Sequence, residues 1–207
     1  MADQLVTLDQ VKGRIFPGGT TDAVDDGLLG ELIDQVTDWI QEFTGRHFIA
    51  EVGATYIVDT TAGSFIDVRR GVRAVTTLSL ATSDQPDDGS GTYTAVTAAD
   101  VLLRPSPMDR RPGWPATGIL IKGSTTGRLV TALNGAKIVG DFGFASVPPA
   151  IQAVALDAVA TAYTTRRAGA DQVGDQASPV AVWSRYFAAG TAQRATLERY
   201  RAGAGIA

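Results

Sequence analysis

Side chains that could do chemistry are few in this sequence. It has one histidine, His47, in Gly45-Arg46-His47-Phe48, and no cysteine. A Ser-His-Asp centre on a nucleophile elbow needs a pattern such as G-x-S-x-G, which does not occur, so His47 reads as a helix-end residue rather than a base. Asp84, Asp87, Asp88 and Gly89 are spaced somewhat like a calcium loop. Pro86, however, stands where a ligand belongs, and no glutamate follows at the required offset, so the segment reads as a solvated turn. Asp141-Phe142-Gly143 matches the kinase tripeptide by letters alone, with no Gly-rich loop, no His-Arg-Asp and no Gly-Lys-Ser/Thr to accompany it. Any two of the 22 acidic residues could converge as a glycosidase pair, but nothing in their pattern selects two. Arg110-Arg111 could touch phosphates, yet two arginines between proline and aspartate make no basic stripe. The expectation is therefore no catalytic, cofactor or metal site, and a role in binding or assembly.

Composition narrows the class. At 207 residues, 44% apolar and 19% charged, the chain can bury one sizeable core with peripheral arms. Without cysteine there is neither a disulfide framework nor a thiolate site, so stability must come from packing within or between chains. No apolar run approaches the roughly 20 residues that span a bilayer, and Met1-Ala2-Asp3-Gln4 lacks a basic signal-peptide start; synthesis in the cytosol is expected. A net charge of −4 argues against sequence-reading contact with nucleic acid. Acids crowd the N-terminal region (Asp22, Asp25, Asp26, Glu31, Asp34, Asp38, Glu42), and arginines dominate the C-terminal part (Arg166, Arg167, Arg185, Arg194, Arg199, Arg201). Such polarity suits head-to-tail or stacked association; two solvated faces of opposite sign are the alternative.

The elements that must position these residues read as follows. Leu5, Leu8, Val11 and Ile15 predict a short helix over about 7–15, capped by Thr7 and ended before Pro17. Leu28, Leu29, Leu32, Ile33, Val36, Trp39, Ile40 and Phe43 form one apolar stripe of a second helix, about 26–44, which Asp25 or Asp26 should cap and Thr44-Gly45 should end. Its opposite face carries Glu31, Asp34, Asp38 and Glu42. From about 54 to 144 Val, Thr, Ile and Gly predominate. Short antiparallel strands are expected there, with turns at Ala62-Gly63 and Arg70-Gly71 and later strands near Gly118–Lys122 and Lys137–Phe142. Asp, Pro and Gly mark loops at 83–91 and 105–115. Ser146 is expected to cap a third helix, about 148–168, whose first turn accepts Pro148-Pro149 and whose small-residue stripe suits packing on the helix of Trp39. Residues 169–180 read as a linker and 181–207 as a C-terminal arm with a last helix from about Thr191 to Arg201. The aromatics of this arm either dock on a partner or fold back on their own domain. The fold class is α+β: a bundle of three to four helices with an inserted antiparallel β region.

Several stretches resemble the tailed-phage head-to-tail connector (adaptor) family. Leu8-Asp-Gln-Val and Leu28–Phe48, with the Thr-Gly-Arg-x-Phe ending, are similar to the first helical pair of connectors. Asp100-Val-Leu-Leu-Arg-Pro and Gly113-Trp-Pro-Ala-Thr-Gly are similar to actinobacteriophage adaptors, and Phe142-Gly-Phe-Ala-Ser-Val-Pro-Pro-Ala-Ile151 to the family's entry into its third helix. The resemblance covers nearly the whole chain in family order. It implies a non-enzymatic virion protein of the neck, assembled in the host cytoplasm as a homo-oligomeric, dodecameric ring between the portal protein and a stopper or tail-side protein. Genomic DNA would pass through it without sequence-specific binding, and no membrane or cofactor would be involved. It further implies portal docking by Tyr186, Phe187, Leu197, Arg199, Tyr200 and Arg201, and a lumen-facing role for Glu31, Asp34 and Asp38. The two long loops, with Asp87, Asp88, Arg110, Arg111 and Trp114, would then meet neighbouring subunits or the next ring. The alternatives are a stopper or tail-completion protein and a stand-alone β-rich ligand-binding domain.

Overall fold

A computed structural model describes residues 4–17, 25–88, 90–122, 129–170, 183 and 186–201. The chain divides into two compact units: a helical one from Met1–Phe48 and Val147–Ala207, and a β unit from Ile49–Ser146. The expected positions of Asp22, Gly89, Arg185 and linker residues 171–180 lie outside the described residues.

In the helical unit, α1 spans Leu8–Ile15 and opens on a capping box. The Thr7 hydroxyl accepts from the Gln10 backbone N–H (3.3 Å), and the Gln10 side chain accepts from the Thr7 N–H (2.9 Å), satisfying two N–H groups that a helix start leaves open. α2 spans Asp26–Thr44 and buries Leu29, Leu32, Ile33, Val36 and Ile40 along the expected stripe. Gly45 ends it at φ 63°, a left-handed conformation that costs glycine little, with its N–H bonded to the Gln41 and Glu42 carbonyls.

The start of α2 differs from expectation. Asp25 occupies the N-cap position but makes no side-chain cap bond. Its carboxylate instead accepts a hydrogen bond from the Tyr163 hydroxyl and lies 3.6 Å from Arg167, so a tie between helices replaces a local cap. α3 spans Pro149–Ala170, covering the first two residues of the expected linker. The Pro148 carbonyl accepts from the Gln152 N–H (3.0 Å), which places the helix boundary at Pro148 and leaves Ser146, the expected cap, two residues outside. α3 buries Ile151, Ala155, Ala158, Val159 and Ala162, and these mostly small side chains let α1 and α2 pack closely on it. α4 is short, Ala192–Glu198, and is capped by Thr191 through the Arg194 N–H.

The β unit is one antiparallel sheet. Its strands are β1 (Glu51–Thr60), β2 (Phe65–Leu80), β3 (Thr94–Ala95), β4 (Val101–Arg104), β5 (Ala116–Ile121) and β6 (Ala132–Phe142). The order is β1-β6-β2-β5-β4, with β3 paired to the end of β2. β6 thus lies between the two strands that are consecutive in sequence.

The expected turn at Arg70-Gly71 is not a turn. β2 runs through it for 16 residues, pairing first with β5 (Ile66 opposite Ile119) and then with β6 (Leu78 opposite Ile138). The register against β5 shifts between Asp67 and Val72, where Gly71 sits at φ 82° and a Cβ would lie 2.6 Å from Pro115. Gly71 therefore bends one long strand instead of separating two. Ile66, Val72, Leu78, Ile119, Ile138 and Phe142 fill the core beneath, and the Asp141-Phe142-Gly143 tripeptide contributes its phenylalanine to that core.

Candidate assembly surfaces

The C-terminal segment is built onto α2. Trp39 supplies the platform: its ring stacks on Phe43 (centroids 5.2 Å, 6° between planes) and on Phe187 (4.0 Å, 14°). Phe187 is 2% exposed and Leu197 0%, so both are core residues of the helical unit in the single chain. This is the fold-back alternative for these two side chains. A segment too short to own a core completes one begun by α2.

Arg46, which sequence reasoning passed over, fastens the end of this segment. It is 7% exposed, and its Nε donates to the Tyr200 carbonyl at 2.6 Å, satisfying an acceptor just past α4; burial lowers the guanidinium pKa from its ordinary value. Tyr200 stands edge-on to Phe48 at 5.8 Å. Arg194 and Arg201 lie over the Phe43 ring at 5.1 and 5.8 Å, and Arg194 also pairs with Glu198 (3.0 Å). Only the Gly45-Arg46 motif after the helix signalled Arg46 in the sequence. Of the six expected docking residues, Arg199 and Arg201 are exposed, and Tyr186 and Tyr200 are half-buried.

Tyr186 borders a shallow cleft of about 390 Å³ with Arg14, Asp157, Thr161, Thr164 and Gln193. Arg14 donates to Asp157 through Nη2 (2.8 Å) and Nε (3.1 Å). Burial, then the negative charge of Asp157, pushes the Tyr186 hydroxyl pKa up to about 12.

Glu31, Asp34, Asp38 and Glu42 are exposed along one side of α2. At about 1.5 Å per residue they form a stripe roughly 16 Å long. Asp34 accepts from the Gln4 amide (2.8 Å), and none of the four has a cationic partner among the described residues.

The two loops of the β unit are ordered by different means. Asn134, at φ 54°, anchors the first: its Nδ2 donates to the Asp87 carboxylate (2.6 Å) and the Gln85 carbonyl (3.1 Å), and its backbone N–H donates to Asp59 (2.8 Å). Asp84 accepts from the Leu133 N–H (2.8 Å), and Tyr93 donates to the Asn134 carbonyl (2.9 Å). Asp88 accepts from the Ser90 backbone N–H (2.9 Å); hydrogen bonding to Ser90 lowers its pKa from the usual carboxylate value. Asp88 therefore holds the loop's own backbone, Asp87 holds Asn134, and Asp84 holds the backbone of β6. Among the described residues no group of three or more His, Asp or Glu side chains is placed to hold a metal ion.

The second loop is braced at its tip. The Ser106 hydroxyl donates to Asp109 (2.6 Å), and the Ser106 carbonyl accepts from the Asp109 and Arg110 N–H groups (3.0 and 3.1 Å). Arg111 lies over the Trp114 ring at 5.2 Å, and Trp114 stands edge-on to Phe144 at 5.7 Å. Met108 projects from this tip 97% exposed.

The solved structures that share this fold include two from particles of one kind. One is in the neck of an empty gene transfer agent (GTA) particle computed with C6 symmetry (19% identity, 95% of this chain and 89% of that chain covered, TM-score 0.54). The other is in the virion of a native GTA particle (18% identity, 95% and 89% covered, TM-score 0.54). The sequence matches no protein-family model and no curated protein. Because the likeness extends over 95% of the chain, it takes in the helical and β units together.

Proposed function

We propose that this chain is a structural protein of a phage-like neck, a ring-forming adaptor that joins the portal vertex of a capsid to the tail and continues the DNA channel. The observation that carries this reading is the fold shared over nearly the full chain with a protein in a particle neck computed with C6 symmetry. Many copies around one axis would supply the packing that a 207-residue, cysteine-free chain cannot draw from disulfides. In this reading the chain contributes shape and contact surface and performs no reaction.

The C-terminal segment is the portal-facing element, and the two halves of its chemistry divide the work. Phe187 and Leu197 hold it on α2, while exposed Arg199 and Arg201, with Tyr186 and Tyr200 beside them, present cations and aromatic edges to acidic and apolar groups of the partner. The test is co-sedimentation of the full chain with portal rings from the same genome. Wild-type protein travels with the portal, and Arg199→Glu/Arg201→Glu protein stays in the supernatant while remaining folded. Equal co-sedimentation of the two would remove the arginines from the docking surface, and none with wild type would remove the adaptor role.

A further inference from the structure

Two oppositely charged surfaces of this chain lack ion-pair partners among the described residues. One is the Glu31-Asp34-Asp38-Glu42 stripe, rigid because it is built on a 19-residue helix. The other is the tip of the 105–115 loop, where Arg110 and Arg111 closely follow the exposed Met108. No ion pair neutralises either arginine among the described residues, and the Ser106–Asp109 hydrogen bonds fix the tip backbone in advance.

We infer that the Met108–Arg111 tip of one copy docks on the Glu31–Glu42 face of α2 in a neighbouring copy. The inference deepens the ring reading by naming the partner surfaces and rests on that reading for its symmetry. Charge complementarity selects the occupant. Four carboxylates within roughly 16 Å repel one another, and two guanidiniums placed between them convert that repulsion into attraction. The Met108 side chain, flexible and apolar, lies against the stems of the acidic side chains. Because the two surfaces differ, the contact is heterologous: each copy gives a tip and receives one, which propagates around an axis until the ring closes. This assigns Glu31, Asp34 and Asp38 to a subunit interface in place of the lumen-facing role that the family resemblance implies.

The absence of cysteine makes the test direct. Met108→Cys and Gln35→Cys are prepared as separate full-length proteins, mixed and oxidised, with Ala195→Cys on α4 as the comparison for Gln35→Cys. Any mixed disulfide then joins two copies. The expected result is a mixed disulfide of the Met108→Cys and Gln35→Cys proteins that exceeds the comparison product, Met108→Cys with Ala195→Cys, at least tenfold, with the chain alone or with portal present. It should fall sharply near 1 M salt, where the screening length is about 3 Å. Adding Arg110→Glu/Arg111→Glu to the first protein abolishes the product, and adding Asp34→Lys/Asp38→Lys to the second restores it. A yield from the Gln35→Cys protein no higher than from the comparison, both alone and with portal, would overturn the pairing while leaving portal binding as a separate result. Portal binding lost with the mixed disulfide retained would overturn the neck reading alone.

Discussion

The indole of Trp39 lies flat on the ring of Phe187, centroids 4.0 Å apart and planes 14° apart, joining residues that the whole β unit separates in sequence. Through this pair the C-terminal segment becomes part of the helical core.

Replacing Phe187, 2% exposed, with Ala should destabilise the helical unit by about 3–5 kcal/mol, and replacing the half-buried Trp39 by about 3 kcal/mol. The double variant should lose less than the sum by about 0.5–1.5 kcal/mol, the coupling of a stacked pair. Urea midpoints of the four proteins measure this; strictly additive losses would mean that the stack contributes only buried area.

Truncation after Gly174 removes Trp183, Phe187 and Leu197, all buried, and so should lower the unfolding midpoint as well as abolish portal binding. The Arg199→Glu/Arg201→Glu protein separates the two effects. Its unfolding free energy should stay within about 1 kcal/mol of wild type, because among the described residues these side chains lose just the exposed Arg201 cation–π contact with Phe43. A collapse of stability in the charge-reversed protein would assign the arginines to folding.

Asn134→Asp should free the 84–93 loop at neutral pH. The new carboxylate faces Asp87 in place of an amide donor 2.6 Å away, losing a charge-assisted hydrogen bond worth about 1.5–3 kcal/mol and adding repulsion. Amide exchange in the loop should accelerate roughly 10- to 100-fold, the equivalent of that energy. Unaltered exchange would show that Asn134 does not anchor the loop.

Tyr56 and Tyr186 should ionise late. Burial raises both to about 12, reinforced at Tyr56 by its hydrogen bond to Glu51 and at Tyr186 by the charge of Asp157. Since the folded-state pKa exceeds the unfolded value of about 10, their contribution to stability is intact below pH 10 and is lost as pH rises from about 10 through 12. Phenolate absorbance should show a class of tyrosines that titrates near 12 or only with unfolding. Phe substitution at either position should remove one residue from that class.

Sequence legibility followed the range of the interaction. The apolar stripe of α2, the Thr7 cap and the Gly45 terminus are set by residues within four positions of one another, and all were readable. Strand pairing was not: β6 inserts between β1 and β2 through contacts more than 50 residues apart, and β4, only four residues long, carries no alternation to read. Gly71 looked like a turn because local propensity is blind to Pro115, whose packing makes the residue a bend within a strand. Asp25 carried a cap signal that Tyr163 and Arg167 redirected. For the candidate surfaces, the exposed carboxylates and the Arg110-Arg111 tip could be named from sequence. That Phe187 and Leu197 are internal anchors could not, because nothing local identifies Trp39 as the platform of Phe187 or marks Leu197 as buried.

Native mass spectrometry of the full chain mixed with the portal protein from the same genome tests the adaptor role most directly. The account predicts a portal oligomer carrying a matching number of copies of this chain. Portal and chain recorded only as separate species, with the chain monomeric, would contradict it.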